Sequence, residues 1–108
     1  MIRKTFEHEI QQVKDEVLLL GSMVEHAIMT SVEVLKKRDI KGAEKIIAED
    51  KEINKKRFAI ENQLMILIAK QQPMAHDLRL LASTMEIISE LERMGDYDKG
   101  IANINIRM

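Results

Sequence analysis

Phe6-Glu-His-Glu-Ile10-Gln-Gln-Val13-Lys-Asp-Glu-Val17-Leu-Leu-Leu20-Gly-Ser-Met-Val24-Glu-His-Ala27-Ile-Met-Thr-Ser31-Val-Glu-Val-Leu35 is the stretch that decides the fold. Its apolar positions (6, 10, 13, 17, 20, 24, 27, 31 and 35) advance in steps of four and three, with Ser31 the one polar member. A stripe sustained over about four heptads predicts a long helix packed at a shallow angle in a bundle. Gly21 interrupts it at a cost of about 1 kcal/mol relative to Ala, and predicts a close helix–helix approach. Lys36-Lys-Arg38 ends the stripe with positive charge, as a helix C-terminus favours. Asp39 is then suited to cap the next helix, its carboxylate accepting from free amides.

A second stripe follows: Ala43, Ile46, Asp50, Ile53, Arg57, Ile60, Leu64 and Leu67. Asp50 and Arg57 stand in it where a simple core would be apolar. Two readings are open: their heads reach past the margin to water or a neighbouring helix, or they lie near a site. Pro73, without an amide proton and with φ preset, separates this helix from a third. The third stripe is Leu78, Leu81, Met85 and Ile88, flanked by Leu80, Ile87, Leu91 and Met94. This broader face predicts contact with both other helices or with a further chain. Short connections reverse the chain direction. The expectation is an all-α, elongated up-down-up three-helix bundle filling residues 1–108 as one domain. Its helices run over roughly 3–38, 40–70 and 73–104, in a body near 45 Å long by a rise of about 1.5 Å per residue.

Composition bounds what such a bundle does. The chain of 108 residues has 17 basic and 18 acidic residues, a formal charge of −1. That balance argues against binding nucleic acid, which wants a basic excess. No Trp, one Tyr and two Phe leave little surface for stacking on bases. The absence of Cys removes disulfides, thiolate metal sites and Cys nucleophiles. Uncharged runs such as Gln63 to Ala69 are far too short to cross a bilayer, so no membrane span is expected. The first residues carry no apolar signal region, so a cytoplasmic protein is expected.

The third stripe, continued by its own rule, runs from Ile88 to Glu92 and then Gly95-Asp96. Glu92 and Asp96, four apart, project from one helix face about a turn from each other. Their like charges call for a cation between them. All-oxygen ligation suits Mg²⁺, Mn²⁺ or Ca²⁺, and iron also accepts carboxylates. Spacing alone is a weak signal, and fits a solvated or salt-bridged pair better than a metal site. Glu86 and Glu90 face the other way and read as solvated. Neither His8, His26 nor His76 follows a Glu by three residues, so the Glu-x-x-His pattern of di-iron bundles is missing. Nothing supplies a general base with metal-ligand spacing, and no enzyme is expected. Eight Met, Met85 and Met94 among them, fit core filling better than an adaptable binding face.

Gln71-Gln-Pro with Asp77-Leu-Arg79, then Leu91-Glu-Arg-Met-Gly-Asp96 and Ile101-Ala, resemble the PhoU family of phosphate-uptake regulators. Met23-Val-Glu, Lys37-Arg-Asp39 and Glu49-Asp-Lys-Glu-Ile53 fit as well, and the resemblance spans roughly residues 3 to 104. It implies a protein usually built of two tandem three-helix repeats, of which this chain holds one. Either the chain is a fragment, or it is a half-length form that forms a homo-oligomer to rebuild the architecture. The resemblance places the family's acidic motif on Glu92 and Asp96, where some members hold iron or zinc. It implies a negative regulator coupling the ATPase of the phosphate ABC transporter to the sensor histidine kinase of phosphate starvation. Asp98, Lys99 and Gly100 depart from the residues common in relatives, and Glu86 stands where Lys is frequent. The alternative is a metal-free helical dimerisation module, although such a spacer would keep its stripe apolar through 92–96.

Overall fold

The computed structural model describes residues 3–71 and 75–107, the side chains of residues 3, 4, 70, 71, 75, 76 and 98 excepted. Three helices account for them: α1 (Arg3–Lys36), α2 (Ile40–Gln71) and α3 (Ala75–Arg107). Each is about 50 Å long at 1.5 Å per residue, and the whole body measures 55 × 17 × 17 Å. Helices nearly as long as the body must reverse at each connection, which gives the up-down-up order. The bundle is longer than the expected 45 Å because α3 runs on to Arg107, three residues past its expected end. The break at Pro73 falls outside the described residues.

The first stripe is buried as its period requires, from Phe6 at 4% exposure through Leu20 and Val24 at 1% to Ser31 at 1%. Ser31 tolerates this because its hydroxyl donates to the Ile28 carbonyl at 2.8 Å, so no polar group is stranded. The second stripe is buried throughout, Asp50 and Arg57 included. The third departs from the expectation. Leu78 is 44% exposed and Met85 only partly buried, while Asp77 and Thr84 take the interior positions beside Leu81 and Ile88. Thr84 donates its hydroxyl to the Leu80 carbonyl at 2.9 Å, which lets a polar side chain occupy a core position. A search for apolar residues alone finds Leu81 and Ile88 and misses by one residue at Leu78 and Met85.

The α1–α2 connection is set by local chemistry. Arg38 adopts φ 54°, the left-handed conformation that closes many helices and that usually falls to glycine. Its amide donates to the Leu35 carbonyl at 3.1 Å and that of Asp39 to Val34 at 3.0 Å, the pair of bonds of a Schellman turn. Asp39 caps α2 as expected, accepting from the Gly42 amide at 3.0 Å. A Cβ on Gly42 would come within 2.7 Å of the Asp39 Oδ2 and 3.0 Å of the Val34 Cγ2, so this glycine makes room for the cap. The far end of α3 closes over the turn. Asn105, fully buried, donates to the carbonyls of Val34 at 3.4 Å and Asp39 at 3.3 Å.

Two hydrophobic clusters result. The larger holds Phe6 to Ala27 of α1, Ile53 to Leu67 of α2, and Leu81 and Ile88 of α3. The smaller joins Ala43 and Ile46 to Ala102 beside the turn. Between them the interior positions are Ser31, Asp50 and Gly95, one from each helix. The break in apolarity thus runs through the whole bundle.

By length and composition α1 could cross a membrane, since Thr5–Lys36 contains an apolar window long enough, although 28% of that window is buried in the bundle. Core helices of bundles meet the same criterion. Its inward stripe packs against α2 and α3, while Leu18 and Met29 remain 71% and 65% exposed.

A charged seam between the second and third helices

The polar break is organised as a seam. On α2, Asp50, Asn54, Arg57 and Glu61 recur at the helical period and share one face. On α3, Glu92, Gly95 and Lys99 do likewise. Because the helices run in opposite directions, Asp50 meets Lys99 and Arg57 meets Glu92. The Lys99 Nζ lies 3.8 Å from Asp50 Oδ2, and Asn54 donates its amide to the same oxygen at 3.1 Å. Arg57 Nη1 reaches Glu61 at 2.9 Å and Glu92 at 3.4 Å, while its guanidinium lies 4.2 Å from the centre of the Phe58 ring. Of the two readings open for Asp50 and Arg57, the structure shows interior side chains whose heads meet the neighbouring helix.

Each helix presents both signs in the order that matches its partner, acid then base along α2 and acid then base along α3. Only an antiparallel pair in this register satisfies both contacts. The seam therefore selects one arrangement among those the apolar stripes alone would permit. Gly95 supports it: a Cβ there would lie 3.9 Å from Asp50 Oδ1, so the position is filled by the carboxylate's surroundings rather than by a side chain of its own. Arg57 Nε is buried without a hydrogen-bond partner, a cost of holding a guanidinium in this interior.

Glu92 and Asp96 lie on the unbroken helix α3 and share its outer edge of the seam, as their spacing predicts. Their surroundings differ. Glu92 is half-buried against Arg57, whereas Asp96 is exposed. Among the described residues no three His, Cys, Asp or Glu side chains form a group able to hold a metal ion. The other two carboxylates of the seam are engaged, Asp50 by Asn54 and Lys99 and Glu61 by Arg57. The donor set of this bundle is thus two carboxylates, one of them already beside a cation. A hard cation there would need its remaining ligands from water or another protein.

Glu86 and Glu90 face solvent as expected, Glu90 3.4 Å from Arg93. His8 and His26 are exposed, and the His76 side chain is outside the described residues. Lys99, Asn54 and Glu61 complete the seam but were not singled out from the sequence. The available signal was their spacing: Lys99 seven residues after Glu92, and Asn54 and Glu61 each four after a charged core residue.

Comparison with known proteins bears on the same residues. The family model described as PhoU domain matches residues 17–104, which contain the entire seam. A phosphate-specific transport system accessory protein PhoU homolog of Clostridium acetobutylicum is 43% identical over 103 residues, covering 94% of this chain and 47% of the relative. The homolog of Aquifex aeolicus is 36% identical over 94 residues, 87% of this chain and 42% of its own. The phosphate-specific transport system accessory protein PhoU of Escherichia coli is 35% identical over 91 residues, 84% and 38% respectively. The chain spans about half the length of the curated relatives it matches, or less. No solved structure matches it significantly. With four-fifths of its residues inside the domain match, and the polar seam within them, the chain belongs to the PhoU family.

Proposed function

We propose that this protein is a cytoplasmic, non-catalytic adaptor that negatively regulates phosphate uptake and phosphate-starvation signalling. It acts by contact, touching the ATPase of a phosphate transporter and the sensor histidine kinase of the response, and it works as a homo-oligomer. The observation that carries the reading is the domain match over residues 17–104, together with relatives named as accessory proteins of phosphate-specific transport systems. The exposed acidic edge at Glu92 and Asp96 supports it, because two carboxylates at the rim of a rigid helix pair make a docking point for a cationic group. A divalent cation bridging this edge to a second protein would strengthen that docking. Iron or zinc is favoured by family resemblance, and Mg²⁺ or Mn²⁺ by the oxygen donors.

The alternative is a metal-free helical dimerisation module. Elemental analysis of untagged protein, prepared without chelator beside the Glu92→Ala/Asp96→Ala variant, separates the two. Metal in the wild type and none in the variant is the expected result, with helix content unchanged. Equal metal content in both refutes metal assistance at this edge. Repression of a phosphate-starvation reporter, measured with the same two proteins, tests the adaptor: the variant is expected to lose it. Full repression by the variant, or none by the wild type, refutes the docking role.

A further inference from the structure

On the α1–α3 side of the bundle the packing is open. A Cβ on Gly21 would meet only Leu91 Cδ2, at 4.0 Å, so the close helix approach expected of this glycine is absent and a gap stands in its place. The gap is the floor of a largely apolar cleft of about 620 Å³. On the α3 side its wall includes Ile87 and Leu91, with Ile87 51% exposed. A second hollow continues it past Met29 and Met94, both exposed.

The α1 residues of the cleft are Lys14, Val17, Leu18, Gly21, Ser22 and Glu25. Reversal about a point midway between Leu18 and Gly21 maps these positions onto one another, as it does for any such stripe of one helix, so the residue types carry the complementarity. Reversal exchanges Lys14 with Glu25, Val17 with Ser22, and Leu18 with Gly21. A basic residue faces an acidic one, and a protruding Leu, 71% exposed, faces a residue with no side chain. Eleven residues are three helical turns to within about 20°, so Lys14 and Glu25 lie on one line along the helix. Among the described residues neither has an ionic partner within the bundle.

We infer that the α1–α3 cleft is the interface with a second copy of this chain, packed antiparallel about a twofold axis perpendicular to the bundle. An isologous contact uses the same patch on both partners, and self-complementarity under reversal is what such a contact requires. Each Leu18 fills the gap over the partner copy's Gly21, and Lys14 pairs with Glu25 twice, once at each end. A parallel pairing would set Lys14 against Lys14 and Glu25 against Glu25, which selects the antiparallel one. The inference rests on the self-association in the proposed function, and assigns it a surface and a register.

The test is the mass of the full chain by light scattering and sedimentation over a range of concentrations, for the wild type and a charge-reversal set. The wild type is expected at twice the 12.5 kDa chain mass. Lys14→Glu and Glu25→Lys each replace two attractions by two repulsions and are expected to weaken the dimer about tenfold. The combined Lys14→Glu/Glu25→Lys variant restores both pairs in reversed polarity and is expected to return to within about threefold of the wild type. Leu18→Asp is expected to give monomer with unchanged helical circular dichroism, since Leu18 lies outside the core. A wild-type monomer at every concentration overturns the inference, as does a dimer indifferent to the single reversals. Single reversals that weaken the dimer without rescue by the pair overturn the antiparallel register. Reporter repression by the same variants is scored separately, so loss of the dimer and loss of regulation are distinguishable.

Discussion

The two ends of the bundle are built on opposite principles. One end is filled by large aliphatic side chains, with Leu20, Ile60, Leu64, Leu81 and Ile88 all at 1% exposure or less. The other is narrow, with small Ala43 and Ala102 bringing the helices together and Asn105 fastening them through two backbone carbonyls. The first end gains its stability from area removed from water, which is non-directional. The second relies on directional bonds that hold one particular chain turn. The charged seam starts between them at Asp50 and runs alongside the larger cluster past Arg57, with paired charges in place of aliphatic packing and its acidic edge at the surface. Placing a polar site between two independently stabilised ends lets it carry charge without being responsible for holding the bundle together.

This contrast can be broken most forcefully at the aliphatic end. Leu64→Ala removes a side chain with no exposure from the larger cluster, and a loss of about 3 kcal/mol is expected in denaturant unfolding. A loss below about 1 kcal/mol would mean that the aliphatic end does not dominate. At the narrow end, Asn105→Ala removes two hydrogen bonds to the Val34 and Asp39 carbonyls, each of which keeps a backbone donor, and is expected to cost about 1 kcal/mol. Hydrogen exchange sharpens the test: the amides around the α1–α2 turn are expected to lose protection before those around Leu64. A uniform loss along the bundle would contradict the division into two ends. The smallest effect is expected at Gly100, where a Cβ meets nothing within 4 Å and the backbone is helical. Gly100→Ala is expected to stabilise by up to about 1 kcal/mol, and a destabilised variant would show that the glycine serves a contact outside the bundle.

The sequence was most legible where apolar burial and helical period agree. Phe6 through Ala27 and Ala43 through Leu67 lie on the face their spacing assigns, and Asp39 caps α2 as its position after three cations implies. It was least legible where a polar residue satisfies itself locally. Thr84 returns its hydroxyl to its own helix and so occupies an interior position that a search for apolar residues gives to Met85. Asn105 was invisible for a different reason. Its two partners lie 71 and 66 residues away, at a turn whose carbonyl directions no local pattern encodes. At the candidate site, the spacing of Glu92 and Asp96 put both on one helix edge. It could not show that Arg57 of another helix takes up Glu92 and leaves Asp96 exposed, because that depends on the antiparallel register of α2 and α3.

The clasp made by Asn105 also orders events in time. The α1–α2 hairpin joins helices adjacent in sequence, and can form before α3 is synthesised. The Val34 and Asp39 carbonyls at its bend hold backbone donors of their own, and the Asn105 amide joins them only when the last turn of α3 arrives, some seventy residues of synthesis later. Fastening that bend to α3 is therefore a late step, and undoing it needs only the terminal turn of one helix to fray. The bend and the final turn of α3 form a single latch, through which anything that grips the end of α3 can stiffen or release the opposite strand of the hairpin.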